Sequence, residues 1–222
     1  MNDFKDLIGK YIEVEISGGS FYKGTLIDSG LDIIVLYVGK NRSFYYIPMV
    51  HIQKLKETTI EEDASYDPPV EKPFETDQIS FRNMLTNAKG MFVQVFVTSN
   101  ISIHGYLTSI MNDYFVFHSP VYKTMFISMN HVKWLIPYPA NATPYSLNNQ
   151  KLPLIPVNIS LARTFEEQLK KLENQLVIID GGNDAEKIGL VQKVQNNKMT
   201  IITAERETVF RNLEHIKMIQ LP

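Results

Sequence analysis

The chain has 222 residues, of which 44% are hydrophobic and 21% are charged, and its formal net charge is −2. This length predicts one or two domains with enough apolar residues for a buried core, and the near-neutral charge argues against a protein that coats nucleic acid by bulk charge. Because the chain has no cysteine, disulfides, thiolate metal sites and thiol nucleophiles are excluded.

The first segment, residues 1–56, predicts a short helix followed by five strands. Apolar residues alternate between positions 9 and 16, which indicates a strand, and Gly18 and Gly19 predict the turn after it. Pro48 ends the fourth strand, because proline cannot donate to a strand ladder. The predicted helix spans 2–8, and the predicted strands span 9–16, 21–27, 31–38, 43–47 and 51–55.

An acidic segment, residues 57–78, separates the first segment from the next. It contains eight acids and one base and so carries −7, whereas the other 200 residues contain 21 bases and 16 acids and so carry +5. It also contains Pro68, Pro69 and Pro73. Since proline disfavours helix at the residue before it, we predict an extended linker here.

The rest of the chain repeats the pattern of the first segment twice. The second segment, residues 79–136, predicts a helix from position 80 and strands at 91–97, 105–107, 114–117, 125–127 and 129–135. A second linker, residues 137–160, contains five prolines and an apolar patch at 152–157. The third segment, residues 161–222, predicts a helix at 164–173 and strands at 176–179, 189–191, 199–202 and 213–219. Thr164 and Glu167 have the spacing of a capping box at the start of that helix.

Two marker residues recur at a fixed interval in the three segments. A glycine in the second strand and a histidine before the last strand are 27 positions apart in the first segment and 26 apart in the other two. A glycine inside a strand indicates a sharp bend, as in a small and strongly curved barrel. The pairs are Gly24 with His51, Gly105 with His131, and Gly189 with His215.

The repeated plan resembles the Sm-like family, a subset of SH3-like barrels. Residues 23–27 are similar to the second Sm strand, residues 31–36 to the third, and Ile47-Pro48 followed by Ile52 to the entry of the fifth. The resemblance implies a mainly β protein with three small five-stranded Sm-like barrels in tandem, each with a short N-terminal helix. Such barrels associate through the exposed edges of their fourth and fifth strands. The whole chain also resembles proteins of endospore-forming bacteria, some of them labelled as spore-coat proteins.

The residues that clamp RNA in Sm proteins are incomplete here. The resemblance places an Asn at the third strand and an Arg-Gly pair at the entry of the fifth, whereas the first segment has Asp32-Ile33 and Ile47-Pro48. The second segment has Asn112-Asp113 with Ile127-Ser128, and the third has Asn196-Asn197 with Arg211-Asn212. Residues that would serve a nucleic-acid site are Lys23, Lys40, Arg42, Asn112, Asn196, Asn197 and Arg211.

The three recurring histidines admit two interpretations. His51, His131 and His215 could converge on a metal ion, or they could be packing and turn residues that each repeat encodes. We favour the second interpretation, because a metal-binding histidine also needs a second hydrogen-bond partner that the sequence does not reveal. We therefore predict no metal and no cofactor.

Aromatic residues are dense in the first two segments, and they also admit two interpretations. Alternation along a strand predicts that at least one ring of Phe44-Tyr45-Tyr46 lies on the outer, solvent-facing side. Core and inter-repeat packing is the favoured interpretation, and contact with another molecule is the other. The aromatic residues that we name for such a contact are Phe44, Tyr45, Tyr46, Tyr122 and Phe126.

The sequence therefore predicts a non-enzymatic assembly or protein-interaction module, since no catalytic constellation is recognisable. We expect it to bind itself or other proteins through barrel edge strands, in the cytoplasm or on the spore, and not to bind a membrane. The alternative is a protein that binds RNA or single-stranded nucleic acid and masks that surface with its acidic linker. The predicted domains are barrel 1 at 1–56, the acidic linker at 57–78, barrel 2 at 79–136, the proline-rich linker at 137–160, and a helix plus barrel 3 at 161–222.

Overall fold

The computed structural model describes residues 4–59, 74, 79–98, 101–139, 144–146 and 159–222. In these residues the chain is mainly β, with fifteen antiparallel strands in an open arrangement and two short α-helices. The closure of three separate barrels stays a prediction. Most of the acidic linker and of the proline-rich linker lies outside the described residues.

Each segment has a helix or helical turn followed by five strands. The first has a 3-10 helix at Lys5–Leu7, then β1 (Tyr11–Ile16), β2 (Ser20–Ser29), β3 (Ile33–Val38), β4 (Ser43–Pro48) and β5 (Ile52–Glu57). The second has α1 (Phe81–Asn87), β6 (Phe92–Thr98), β7 (Ile101–Ile110), β8 (Tyr114–Ser119), β9 (Lys123–Ser128) and β10 (Trp134–Pro137). The third has α2 (Phe165–Lys170), β11 (Leu176–Ile179), β12 (Ile188–Gln195), β13 (Lys198–Ile202), β14 (Thr208–Asn212) and β15 (Met218–Gln220).

Short 3-10 helices mark the same place in each segment, directly before the fifth strand. They span Met49–His51, Met129–His131 and Leu213–His215, so each ends on the histidine that the sequence repeats. Three further 3-10 helices span Gly39–Asn41, Pro144–Ser146 and Ala185–Lys187.

A glycine lets the second and third strands of a segment approach each other closely. A Cβ atom on Gly24 would overlap the carbonyl oxygen of Tyr37 in β3, so a larger residue does not fit. The register between β2 and β3 shifts between Leu26 and Asp28, just after this glycine. Gly105 has the same relation to the carbonyl oxygen of His118. The bend predicted from the glycine spacing is therefore present as a close approach followed by a bulge.

The described chain divides into two compact units, of which unit 1 comprises Met1–Ser102 and Lys133–Ala142. Its strands are hydrogen-bonded in the order β6-β10-β4-β3-β2-β1-β5. Alternate residues of β1 are buried, and they join a core cluster that includes Trp134 of β10. The last strand of the second segment therefore contributes to a core built mainly by the first.

Unit 2 comprises Ile103–Val132 and Thr143–Pro222. Its strands are hydrogen-bonded in the order β14-β13-β12-β11-β15-β9-β8-β7. One core cluster contains Tyr114 and Phe126 from the second segment together with Phe165 of α2. The boundaries of the two units do not coincide with the two linkers. The domain boundaries drawn from the linkers stay a prediction.

Candidate protein interface

The segments are joined by strand pairing of one kind, which occurs twice in the chain. The fourth strand of the first segment, β4, pairs with the fifth strand of the second, β10, with Tyr46 opposite Leu135. In the same way β9 pairs with β15, with Phe126 opposite Ile219. The fourth strand of a segment is thus the place where the fifth strand of the following segment binds.

The fourth strand of the third segment is β14. Among the described strands β14 pairs with β13 alone, so its other edge carries no strand. Val209 and Arg211 are partly buried, while Thr208, Phe210 and Asn212 alternate with them and are exposed. An uncovered strand edge with an apolar side chain is a place where another strand can add.

Phe210 occupies the position that is buried in the other two segments. Tyr46, Phe126 and Phe210 each lie five residues before the repeated histidine of their segment. The exposed fraction of the side chain is 0% for Tyr46 and Phe126, but 69% for Phe210. The chain therefore keeps an aromatic residue at this position where none of the described strands covers it.

The side chains beside Phe210 are more polar than those beside Phe126. On the strand before β9, Tyr114 and Val116 are buried on the same face as Phe126 and join the core cluster of unit 2. The corresponding residues of β13 are Lys198, which is exposed, and Thr200, which is partly buried. Phe210 is thus an exposed aromatic ring with a charged and a polar side chain beside it.

A carboxylate fixes the start of each following helix. Asp32 Oδ1 accepts a hydrogen bond from the backbone N–H of Phe81 at 2.7 Å, and Asp113 Oδ1 accepts one from that of Phe165 at 2.8 Å. Both acceptors satisfy an N–H group at the beginning of a helix, which has no partner within the helix. At the corresponding position of the third segment, Asn197 donates instead to Asn212 Oδ1 of the same segment.

Replacing Asp113 with alanine is expected to lower the free energy of unfolding by about 1 kcal/mol, as loss of a helix cap does. The reason is that the N–H of Phe165 loses its acceptor. Asp113→Asn keeps an acceptor oxygen and is expected to cost less. Urea unfolding followed by circular dichroism measures both, with Glu205→Ala at an exposed turn as the control. Equal stability of Asp113→Ala and the control would contradict this role.

Tyr114 ties α2 to the strands of unit 2 through its hydroxyl group. The hydroxyl donates to the carbonyl oxygen of Ala162 at 2.7 Å and lies 3.0 Å from Gln168 Oε1. Burial raises the pKa of Tyr114 to about 12 from its usual 10.0. Burial also raises the pKa of Tyr46.

The raised pKa of Tyr114 gives a prediction for alkaline solution. The folded state holds this proton more tightly than the unfolded state, so the stabilisation is complete below pH 10.0 and is lost as the pH rises towards about 12. In Tyr114→Phe we expect the stability to fall less steeply with pH. Some loss remains, because the pKa of Tyr46 is also raised by burial. Urea midpoints measured across this pH range test the prediction, and an unchanged slope in Tyr114→Phe would contradict it.

Each repeated histidine ends the 3-10 helix that precedes the fifth strand of its segment. His51 is buried, and its Nδ1 lies 3.0 Å from Lys133 Nζ. His131 Nε2 lies 2.8 Å from the carbonyl oxygen of Glu214, and His215 is exposed. Among the described residues no three His, Asp or Glu side chains are grouped to hold a metal ion. The interpretation of the three histidines as packing and turn residues stays a prediction.

A polar cluster lies beside the first of these turns. Lys133 Nζ donates to Ser17 Oγ, and His51 Nδ1 lies 3.1 Å from the same oxygen. The backbone N–H of Ser17 donates to the carbonyl oxygen of His51 at 2.8 Å. The cluster holds the end of β1, the turn before β5 and the residue before β10 together within unit 1.

Four of the five aromatic residues named for contact with another molecule are buried within the chain. They are Phe44, Tyr45, Tyr46 and Phe126, each less than one-tenth exposed. The expectation of a solvent-facing ring at 44–46 is wrong, because all three rings are buried. Tyr46 lies outside the first segment's core cluster, and its ring contacts that of Phe74 with 5.3 Å between the ring centroids. Tyr122 is 40% exposed.

Two of the basic residues named for nucleic acid lie beside glutamates, and the nucleic-acid site stays a prediction. Lys23 Nζ lies 4.0 Å from Glu13 Oε2, and Arg211 Nη2 lies 3.4 Å from Glu186 Oε2. Lys56 lowers the pKa of Glu13 through a hydrogen bond, with a further contribution from Lys23. Lys40 and Arg42 are exposed at the turn before β4.

The asparagines named for nucleic acid have local structural roles. The backbone N–H of Asn112 donates to the carbonyl oxygen of Arg163 at 3.0 Å. Asn196 and Asn197 form the turn between β12 and β13 with φ angles of 52° and 58°. Asparagine tolerates this left-handed conformation better than most residues, which explains its use there.

Comparison with known proteins gives two matches. A family model described as "YwrJ third domain" matches residues 164–219. A protein of Bacillus subtilis (strain 168), named "Uncharacterized protein YwrJ", is 43% identical over 229 residues that cover 100% of both chains. The chain belongs to the YwrJ family.

The family match agrees with a chain of several domains. A third domain implies earlier ones, and residues 164–219 contain α2 and the strands β11 to β14 and most of β15. The YwrJ family is thus multi-domain, and the exposed β14 lies inside its named third domain. No helix of the described chain is both long and apolar enough to cross a membrane.

Sequence reasoning missed Phe210 as a candidate interface residue of this YwrJ family chain, although the signal was present. Its distance from His215 equals that of Tyr46 from His51 and of Phe126 from its own histidine. That interval places an aromatic residue on the fourth strand of every segment, and in the first two segments this residue lies at the joint with the next segment. What the interval does not show is that none of the described strands pairs with the other edge of β14.

Proposed function

We propose that this protein is a non-enzymatic assembly module, built from three Sm-like repeats, that binds a protein partner by strand addition at β14. The observation that carries the proposal is the 69% exposure of Phe210 on an edge strand whose two counterparts each bind a strand. Added strands form backbone hydrogen bonds along the edge, and side chains that fill pockets give specificity. Phe210 supplies the apolar anchor, and the exposed polar residues beside it keep the face soluble until a partner binds.

Site-specific photocrosslinking tests the proposal. Benzoylphenylalanine replaces Phe210 in a chain that is produced in Bacillus subtilis in place of its own relative. Leu176, which is 58% exposed, is replaced in the control. We expect one major protein adduct from position 210, mapped by mass spectrometry to a strand of a single protein, and no such adduct from position 176. The absence of a protein adduct at 210, or the same adducts at both positions, would contradict strand addition at β14.

The spore is the proposed place of assembly. Support comes from the resemblance of the chain to proteins of endospore-forming bacteria that are labelled as spore-coat proteins, and the YwrJ relative is from Bacillus subtilis. A fluorescent fusion of the chain is expected to concentrate around the developing spore. Even fluorescence throughout the mother cell would contradict this location.

Nucleic-acid binding is the second candidate, and the division of charge favours it. Residues 57–78 carry −7 and the remaining 200 residues carry +5, so the acidic segment could cover a basic surface in the same chain. Deletion of residues 57–77 is then expected to raise the affinity for single-stranded RNA, with a steep dependence on salt. No binding at about 50 mM salt, with or without the segment, would defeat this candidate.

A further inference from the structure

We propose that the strand that adds to β14 is β5 of a second copy of this chain, in the register that places Phe210 opposite Leu55. This inference rests on the proposed function, because it names the partner of the same edge. Among the described strands β5 pairs with β1 alone, so each chain carries both of the edges that the joint needs. Because the two edges differ, the joint is head-to-tail, which generates either a closed ring or an open filament.

The chain itself supplies two examples of this joint. In both, the fourth-strand residue that lies five positions before the repeated histidine is opposite the fifth-strand residue that lies four positions after it. The observed pairs are Tyr46 with Leu135 and Phe126 with Ile219. Both joints therefore use the same register.

The same counting gives the residues of the third joint. Phe210 lies five positions before its histidine, and Leu55 lies four positions after its own. Phe210 is exposed and Leu55 is half-buried, so both have apolar surface left to cover. Pairing would bury the ring of Phe210 as the rings of Tyr46 and Phe126 are buried within the chain. An aromatic ring is the largest apolar contribution that one residue of this edge can make.

Charge makes this joint weaker than the joints inside the chain. The register places Lys54 opposite Arg211, and like charges directly opposite each other destabilise a strand pair. In the second joint of the chain the corresponding residues are Met218 and Ile127, which are apolar. Lys198 adds a further positive charge beside Phe210. We therefore expect reversible association that becomes stronger as salt screens the repulsion.

The pair of like charges supplies a gain-of-function experiment. Lys54→Glu would face Arg211 with an opposite charge and is expected to tighten self-association of the full chain roughly tenfold. Adding Arg211→Glu to the same chain restores like charges and is expected to return the affinity towards that of the wild type. Analytical ultracentrifugation from low to high micromolar concentration measures all three proteins. Lys193→Glu, an exposed charge reversal on β12, is the matched control and is expected to leave association unchanged.

Loss of the anchor gives the complementary experiment. Phe210→Lys, and separately Phe210→Ser, are expected to abolish self-association while leaving the urea midpoint unchanged, because the side chain is exposed. A chain with both Lys54→Glu and Phe210→Lys has one working edge and should be monomeric alone. Mixed with the wild type at a concentration at which the wild type alone is monomeric, it should form a 1:1 complex, as a head-to-tail joint requires of a chain with one blocked edge.

Two results would overturn the inference. One is a monomer at every concentration for both the wild type and Lys54→Glu. The other is association that Phe210→Lys and Lys54→Glu leave unchanged. If either is obtained while benzoylphenylalanine at position 210 still captures a strand of a different protein, strand addition at β14 stands and only the identity of the partner is wrong. If position 210 captures no protein, the proposed function fails as well.

Discussion

Trp134→Ala is expected to lower the free energy of unfolding by about 3–5 kcal/mol, the loss typical of removing a large buried aromatic side chain. Trp134 is only 5% exposed and belongs to the core cluster of unit 1. Its ring stacks on Phe96 with 5.1 Å between ring centroids, and it contacts Tyr45 edge-on at 5.1 Å. Its Nε1–H donates to the hydroxyl oxygen of Tyr22 at 2.8 Å.

Urea unfolding followed by circular dichroism measures this loss. Trp134→Phe keeps most of the apolar surface and removes the hydrogen bond to Tyr22, so it is expected to cost about 1–2 kcal/mol. Trp134 is the only tryptophan of the chain, so its fluorescence reports on this joint in the wild-type protein. A loss below about 1 kcal/mol for Trp134→Ala would contradict a packed joint between the first segment and β10.

Gly24→Ala is expected to destabilise the protein by about 3 kcal/mol, at the upper end of the usual cost of overpacking. The added methyl group would overlap the carbonyl oxygen of Tyr37, and a backbone atom cannot move aside as a flexible side chain can. It would also approach Leu36 Cγ at 3.1 Å. Relief therefore requires β2 and β3 to separate at the point where their register shifts.

Two further glycines give a graded control for this prediction. In Gly189→Ala the nearest backbone atom would be the carbonyl oxygen of Ile202 at 2.6 Å, which is less severe, so a smaller loss is expected. In Gly90→Ala the added Cβ atom has no neighbour within 4 Å, so the expected loss of stability comes only from the backbone strain of a φ of 81°. Thermal and urea unfolding should rank the three variants in this order. A Gly24→Ala protein as stable as Gly90→Ala would show that the close approach is not required.

The strands and their repeat could be predicted from the sequence because their causes are local. Alternation of apolar residues in β1 and the fixed interval between glycine and histidine are properties of short stretches of chain. The helix at Phe165–Lys170 could be predicted from Thr164, whose hydroxyl does accept from the N–H of Glu167 at 3.4 Å. The actual helix ends earlier than predicted, at Lys170 rather than at position 173.

The joints between segments could not be predicted in the same way. The hydrogen bond from the N–H of Phe165 to Asp113 joins residues 52 positions apart, and no local sequence pattern predicts it. In the first segment Asp32 stands where the Sm resemblance expects the Asn of an RNA clamp, and the structure uses its carboxylate to hold the start of a helix. The exposure of Phe210 likewise depends on the strand order, in which none of the described strands pairs with the other edge of β14. A short stretch of sequence does not reveal the order of strands in a sheet.

The place of β10 affects how the gene can be divided into fragments for expression. A fragment that stops at Ser102 would lack Lys133–Ala142, which belong to the same compact unit. It would lose the tryptophan from its core and would leave the edge of β4 at Tyr46 without its strand. Such a fragment exposes a strand edge that is paired in the intact chain, and it can aggregate through that edge. Its aggregation would therefore not be evidence about the intact protein. A fragment of residues 1–142 would in turn leave β9 at Phe126 without β15, so crystallisation and binding studies should use the full chain.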